Sequence, residues 1–261
     1  MQISLMNSKT IFSIVVITKD NISELLETIS TIPKSKLFLI ELIVIDSSLI
    51  SSKIDYECHN LIYKHTKPKG IYAAQNLGIS FSTGDYIIVM NSGDGFNKNS
   101  NELLDKITVL DMYDAFVFSQ LFTKPDGKIL HTYFPSKDSI WPHQSVVLKN
   151  DIYKKFGLYN EKYIYAADQI YFTEIRDFIN VYYGKDILSY FTHGGVSTGY
   201  PRLILCKENY IIWRNLNKSV LFSFIKSFIF PYIRYLLESI LGLNDLGLVL
   251  RKLYDKNIDN K

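Results

Sequence analysis

The stretch from Lys69 to Asp94 constrains the fold of this chain more than any other. After Gly70, Ile71-Tyr72-Ala73-Ala74-Gln75-Asn76-Leu77-Gly78-Ile79 reads as a helix running from Ile71 to about Ser82, with Ile71, Ala74, Gly78 and Phe81 along one stripe. Thr83-Gly84-Asp85 is a tight turn, Asp85 to Met90 a buried strand, and Asn91-Ser92-Gly93-Asp94 sets a carboxylate just past the strand's end. Ligands of open α/β sheets bind outside the carboxyl ends of the strands, so Asp94 stands where a metal–diphosphate would sit.

The flanking sequence extends the pattern. Ile11 to Thr18 and Phe38 to Ile45 are β-branched runs of the kind buried on both faces of a parallel sheet, and Leu61 to Lys64 reads as a shorter strand. Between the first two lies a helix over Ile22 to Thr31, capped by Asp20 or Asn21 and ended by Pro33. Strands alternating with helices predict βαβ units in a doubly wound α/β fold with a mostly parallel sheet.

After Asp94 the expected elements are a helix over Glu102 to Leu110 and a hairpin, Ala115 to Phe122 with Lys128 to Phe134, around Lys124-Pro125-Asp126-Gly127. Loop follows from Pro135 to Pro142, then helices over Asp151 to Phe156 and Ala167 to Phe178, and a strand over Ile187 to Phe191. The rest reads as helical: Leu203 to Asn215, Val220 to Leu241 interrupted at Pro231, and Leu246 to Tyr254. This divides the chain into a domain over 1–200 and a C-terminal helical region over 201–261.

Charge and cysteine content exclude several function classes. A net charge of +3 with no Lys/Arg block argues against a nucleic-acid partner. Cys58 and Cys206, far apart and without CxxC spacing, suggest a reducing compartment and neither a disulfide framework nor a zinc site. Met1 to Thr10 lacks the pattern of a signal peptide, and no uncharged apolar stretch reaches the roughly 18 residues of a spanning helix. The expectation is a cytoplasmic protein. The 19 Tyr and 16 Phe serve core packing first, with sugar stacking or a membrane interface as alternatives.

Each residue with a chemical reading also has a structural one. Asp94 can hold Mg2+ or Mn2+ against a diphosphate, because hard cations share oxygen ligands with phosphates, or it can be an ordinary turn residue. Asp46, ending the second strand at the same rim, can meet a base or ribose or cap its own turn. Asp168, in Ala166-Ala167-Asp168-Gln169, can be a general base or a carboxylate favoured by a helix dipole. His143, in Trp141-Pro142-His143-Gln144, can touch substrate, and His193 can complete a metal site or touch phosphate; a lone histidine is more often structural. Lys69, and Asn76 inside its helix, can reach a nucleotide; a mid-helix asparagine hints at a specific partner.

Taken in order, these segments resemble glycosyltransferase family 2 proteins of the GT-A fold, in particular the bacterial branch that makes colanic acid, capsule and O-antigen. The resemblance rests on Ile43-Val44-Ile45-Asp46, Lys69 to Ile79, Thr83 to Asp94, His143-Gln144, Gly157 to Tyr163, Ala166-Ala167-Asp168 and Gly194-Gly195-Val196-Ser197-Thr198, and spans roughly residues 11 to 200. It implies an inverting transferase that moves a sugar from a nucleoside-diphosphate donor, UDP-linked, to a lipid-linked glycan acceptor in surface polysaccharide synthesis. Asp94 would then bind Mn2+ or Mg2+ as the end of a degenerate DxD, with His193 as a further metal-side contact, and Asp168 would deprotonate the acceptor. The donor site would draw on Thr18, Asp46, Lys69, Gly70, Asn76, Asn91, Ser92 and Gly93, with His143 and Gln144 touching acceptor or donor.

The chain departs from the family pattern at Ser47-Ser48-Leu49-Ile50, at Ala73, at Gln169 and at Asn91. These departures keep open a catalytically silent scaffold of a polysaccharide assembly complex. A nucleotidyltransferase fits less well, since Thr18-Lys19-Asp20 is no Gly-rich phosphate loop. In the C-terminal part, residues 218–241 mix Phe222, Phe224, Phe228, Phe230, Tyr232 and Tyr235 with Lys218, Lys226 and Arg234. That composition suits a peripheral contact with the inner face of the cell membrane, or packing on the catalytic domain or within a homo-oligomer.

Overall fold

The computed structural model describes residues 11–34, 39–51, 60–193 and 203–241. Its frame is one nine-stranded sheet. β1 (Phe12–Thr18), β2 (Ile40–Asp46), β3 (Asn60–His65) and β4 (Tyr86–Asn91) pair in parallel, in the order β3-β2-β1-β4. β5 (Gly95–Phe96), β6 (Ala115–Thr123), β7 (Ile129–Tyr133), β8 (Val146–Lys149) and β9 (Val181–Thr192) continue it as β8-β6-β9-β5, with β7 hairpinned on β6. In this second half β8 runs antiparallel to β4 and β6, while β9 is parallel to β6. The chain is thus doubly wound in its first half and mixed in its second.

Every residue of β1 and β2 is buried, as their β-branched composition requires of strands covered on both faces. Side chains alternate across the sheet. Val15 and Ile17 face α2 (Ile71–Phe81), α4 (Asn150–Phe156) and α5 (Ala167–Ile175), where Tyr72, Ala74, Ile152, Tyr171 and Phe172 close one core. Ile14 and Val16 face α1 (Ile22–Ser30) and α3 (Ser100–Val109), whose Leu25, Ile29, Leu103, Leu104 and Ile107 close the other. α2 lies so close to β1 that a Cβ at Gly78 would stand 2.2 Å from Val15 Cγ1, so a glycine is needed there.

Beyond α5 come a short 3-10 turn over Arg176–Phe178, β9, and then α6 (Leu203–Asn215). Ile212 and Leu216 pack against Ala166 and Ile170 at the start of α5, and Asn215 Nδ2 donates to Thr173 Oγ1 at 3.1 Å. α7 (Val220–Phe224), a π turn (Ile225–Ile229) and α8 (Phe230–Leu241) follow as one continuous helix. The expected interruption at Pro231 does not occur. Proline lacks an N–H and its ring crowds the preceding turn. The widened turn just before it absorbs both, with Phe230 N–H bonding back to Ile225 O.

Ser223 and Ser227 form the buried inner face of this helix, while Phe222, Phe224, Phe230, Tyr232, Ile233, Tyr235, Leu236 and Ile240 are exposed. By length and composition, 220–237 is apolar enough to cross a membrane, although it carries Lys226 and Arg234. The expected helix over Leu246 to Tyr254, Phe38, Cys58 and Gly194 to Thr198 lie outside the described residues.

Candidate functional site

Register alone gathers the rim residues. Thr18 pairs with Asp46, Ile17 with Asn91, and Asp46 with His65, so the carboxyl ends of β1, β2, β3 and β4 form one edge. The loop after β4 turns on Gly93, whose φ of +90° only glycine adopts freely, and delivers Asp94 beneath that edge. Threonines staple the loop. Thr28 Oγ1 donates to Asp94 O at 2.7 Å and accepts from Gly93 N at 2.9 Å, and Thr192 Oγ1 donates to Gly93 O at 2.7 Å. Ser92 N–H bonds Ile17 O at 2.9 Å, extending the sheet by one rung.

Asp94 is 4% exposed and held by neutral donors. Gln144 Nε2 donates to Oδ2 at 2.7 Å and Thr192 N to Oδ1 at 3.2 Å. Gln144 Oε1 in turn accepts from Gln120 Nε2 at 3.1 Å, and that nitrogen also reaches Ser189 Oγ at 3.2 Å. Burial pushes the Asp94 carboxyl up to about 6, although Gln144, His143, the Thr192 amide and Asn91 all pull it down. A carboxylate that pays for its charge in this way gains from a nearby cation.

Asp168, in the first turn of α5, is equally buried but differently held. His143 Nδ1 lies 2.8 Å from Oδ2, and Tyr72 Oη donates to Oδ1 at 2.9 Å. Burial opposes its ionisation most strongly, yet His143, Tyr72 and the Gln169 amide together outweigh burial and hold the carboxyl below its usual range. Burial first, then Asp168, raises Tyr72 far above the ordinary phenol, so its hydroxyl stays a donor.

The two acids are joined by a bridge: His143 Nε2 lies 3.3 Å from Asn91 Nδ2, Asn91 Oδ1 accepts from Gln75 Nε2 at 3.1 Å, and Asn91 also bonds Asp94. With the amide so turned, Asn91 Nδ2 faces His143 Nε2 and donates to it when that nitrogen carries no proton. His143 is the more open end of the bridge, with 14% of its side chain exposed against 4% for Asp168.

The structure brings Asp94, Asn91, His143, Gln144 and Asp168 into this one network, with Ser92 and Gly93 in its loop. Gln144, expected at acceptor or donor, is buried and directs its amide to Asp94, so it acts on that carboxylate. His193 adjoins Thr192, with its N–H on Thr123 O at 2.7 Å. Lys69 is exposed beside Gly70, whose φ of +114° opens α2.

Thr18 and Asp46 lie at the rim but are occupied locally. Thr18 Oγ1 bonds Asn21 O at 3.3 Å, and the fully buried Asp46 accepts from Ser48 N at 2.9 Å and from the Tyr63 hydroxyl. Asn76 does not face the rim network. Its Nδ2 donates to Tyr159 O at 2.9 Å and Glu161 Oε1 at 3.0 Å, and its Oδ1 accepts from Tyr159 N at 3.0 Å. The specific partner of this mid-helix asparagine is a protein loop, which corrects the expectation of a nucleotide contact.

Tyr72, Gln75, Gln120, Thr28 and Thr192 belong to the network without having been singled out in the sequence. The signal for two of them was present: Gln120 is a glutamine inside an apolar strand, and Thr28 interrupts the apolar stripe of α1.

No group of three His, Cys, Asp or Glu side chains converges among the described residues, so they form no closed metal cage. A hard cation shared with a diphosphate needs only one or two carboxylates, and a buried acid supported by neutral donors fits that demand. Asp94 would be the protein ligand.

Residues 13–155, more than half of the chain, match the model of a family described as glycosyl transferase family 2. No curated protein matches the chain. Among solved structures, residues 1–349 of S. aureus TarS in complex with UDP-GlcNAc align at TM-score 0.60 and 14% identity, over 83% of this chain and 72% of that one. The mannosyltransferase PcManGT from Pyrobaculum calidifontis, in complex with GDP-Man and Mn2+, aligns at TM-score 0.57 and 11% identity, over 98% and 82%. Longer S. aureus TarS aligns at TM-score 0.56 and 14% identity over 82% of this chain but only 41% of its own, so the chain spans less than half of it. At such identities the likeness is one of fold.

Proposed function

Because the chain belongs to glycosyl transferase family 2, with the GT-A fold, we propose that it is an inverting glycosyltransferase using a nucleoside-diphosphate sugar. The observation that carries this is the pair of buried acids at one rim, Asp94 and Asp168, joined through Asn91 and His143 but pushed in opposite directions. An acceptor hydroxyl oxygen attacks the anomeric carbon as the carbon–oxygen bond to the diphosphate breaks. The hydroxyl proton passes to Asp168, and the nucleoside diphosphate leaves with the bonding pair.

Asp168 is ionised at neutral pH and oriented by two donors, as an oxyanion awaiting a proton requires. Asp94 would hold Mn2+ or Mg2+, and the cation would supply charge stabilisation to the departing diphosphate. Ser92 and Gly93 present backbone beside it, and Thr18, Asp46, Lys69 and Gly70 border the nucleotide end of the rim. His193 lies on the metal side, and His143 faces the acceptor.

A UDP-linked hexose is the donor we favour, in keeping with the UDP-GlcNAc held by TarS; the GDP-Man held by PcManGT makes GDP the comparison to run. The acceptor is a lipid-linked glycan of a bacterial surface polysaccharide. The exposed aromatic face of α7–α8 supports this, lying against the inner face of the membrane. Lys226 Nζ sits 5.9 Å from the Phe222 ring and 5.3 Å from Phe230, so cation and aromatics share a face. A Lys or Arg at the centre of a spanning helix costs about 2.5–3.5 kcal/mol, whereas in the interface plane both reach headgroups. We therefore favour an in-plane helix.

A thermal-shift screen of UDP-, GDP- and dTDP-sugars with and without Mn2+, followed by transfer assays, tests the proposal. The true donor raises the melting temperature by mass action. Asp94→Ala and Asp168→Ala should both lose transfer, and Asp168→Ala should still bind donor. Full activity in Asp168→Asn would remove Asp168 from the base role.

A further inference from the structure

The loop from Gly157 to Ala166 leads into α5 and is gripped from two sides. Asn76 of α2 holds its first half, through Tyr159 and Glu161. Glu208 of α6 holds its second half. Oε1 accepts from Ile164 N at 2.7 Å, and Oε2 accepts from Tyr165 N and Ala166 N, each at 2.8 Å. Glu208 is 3% exposed. A buried carboxylate is expensive unless hydrogen-bonded, and three converging amides are what makes this one tolerable.

Those amides sit two to four residues before Asp168. Ala166 is the N-cap of α5, and its side chain offers no cap. The carboxylate that meets the start of this helix therefore comes from another helix, forty-two residues away by the Ala166 pair. A negative group there also complements the helix dipole. Asp168 follows in the first turn, where it must meet His143 and Tyr72 together.

We infer that Glu208 is a positioning residue for Asp168: it fixes where α5 begins, and so where the carboxylate points, making the C-terminal helical region part of the acceptor half of the site. The inference rests on the proposed transferase reading for its kinetic arm only. Displacements of about 1 Å at a reacting group cost on the order of 100-fold in rate, so the register of α5 matters.

The test uses the full chain. Glu208→Gln keeps the volume but turns an amide N–H2 toward at least one backbone N–H. We expect kcat to fall at least about tenfold with donor KM within about twofold, as for an interaction felt only at the reacting group. The acidic limb of kcat should move to higher pH, because Asp168 loses donors that hold its carboxyl down. Independently of activity, the NMR signal of the His143 Nδ1–H, hydrogen-bonded to Asp168, should shift upfield or vanish. The thermal shift with UDP and Mn2+ should stay as in the wild type, because Asp94 lies in another part of the network.

Ile212→Val trims the same α5–α6 contact without touching the Glu208 hydrogen bonds and should leave the His143 signal and the pH limb unchanged. If Glu208→Gln does not fold, Glu208→Asp, one methylene shorter, should give the same changes. A wild-type His143 signal in the Glu208 variant, or the same change in Ile212→Val, overturns the inference. Absence of donor binding and transfer in the wild type overturns the function instead, and the His143 signal still decides the positioning role.

Discussion

Asp94→Asn should make the protein more stable as the pH rises, relative to the wild type, while removing its activity. Burial lifts the Asp94 carboxyl from 3.8 to about 6. A raised carboxyl contributes stability that is fully present below its unfolded value and is lost as pH rises through its folded value. At 1.36 kcal/mol per unit, that loss comes to about 3 kcal/mol in full, of which about 1.4 kcal/mol falls between pH 5 and pH 8. Asparagine does not titrate, so the variant escapes this loss.

The substitution has a second, pH-independent effect. Asparagine Oδ1 can still accept from Thr192 N, but its Nδ2 meets Gln144 Nε2. Turning over the Gln144 and Gln120 amides and rotating the Ser189 hydroxyl re-pairs those groups, at the cost of the Ser189–Ser145 hydrogen bond. Any residual cost is the same at every pH and cancels in the comparison. Urea unfolding of both proteins at pH 5, 6.5 and 8 measures the gap directly. It should move in favour of Asp94→Asn by about 1.4 kcal/mol over that range, and Mn2+ with UDP should stabilise only the wild type. A gap constant across pH would mean that Asp94 carries no burial penalty, and the argument for its metal role would fall with it.

Tyr72→Phe removes one donor from Asp168, so the acidic limb of kcat should move to higher pH and kcat should drop about tenfold, with donor binding retained. Gly78→Ala forces a methyl into the Val15 side chain and should destabilise by about 1–3 kcal/mol in urea titrations at any pH. Flotation with anionic phospholipid vesicles should recover the wild type, and Lys226→Glu combined with Phe230→Glu should abolish it at unchanged melting temperature, since both sites lie on the exposed helix.

The strands of the parallel part of the sheet were legible because burial on both faces leaves a strand little besides β-branched and aliphatic residues, as in Phe12–Thr18 and Tyr86–Asn91. In the second half the β6–β7 hairpin was read as well, and the remaining strands were not, or only in part. β5 has two residues and β8 four, too few for any periodicity, and β9 was read only over Ile187 to Phe191 because Gly184, Lys185 and Asp186 interrupt its hydrophobic run. The same contrast holds at the rim. Asp94 and Asp168 stand out as acids beside small residues, whereas Tyr72 on a helix stripe looks like core until its hydroxyl is found on Asp168. Asn76 announced a partner truly but not which one, since a loop eighty-three residues away is invisible to local pattern.

The opposite displacement of two equally buried acids is the part of the site that sequence spacing could not supply. Desolvation acts on both and by itself would raise both. What separates them is their donors. Asp168 has an imidazole, a phenol and a helix-start amide, while Asp94 is met mainly by amides whose dipoles offset only part of the burial. Where neighbouring groups are pushed apart in this way, their roles divide with them. On the proposed function, the acid held down would take the acceptor proton, and the acid held up would gain its counter-charge from a cation shared with a diphosphate. Asn91 and His143 join the two through direct side-chain contacts. An aspartate at position 91 would put a second charge beside Asp94, which burial already disfavours. The asparagine found there bridges the halves without that repulsion.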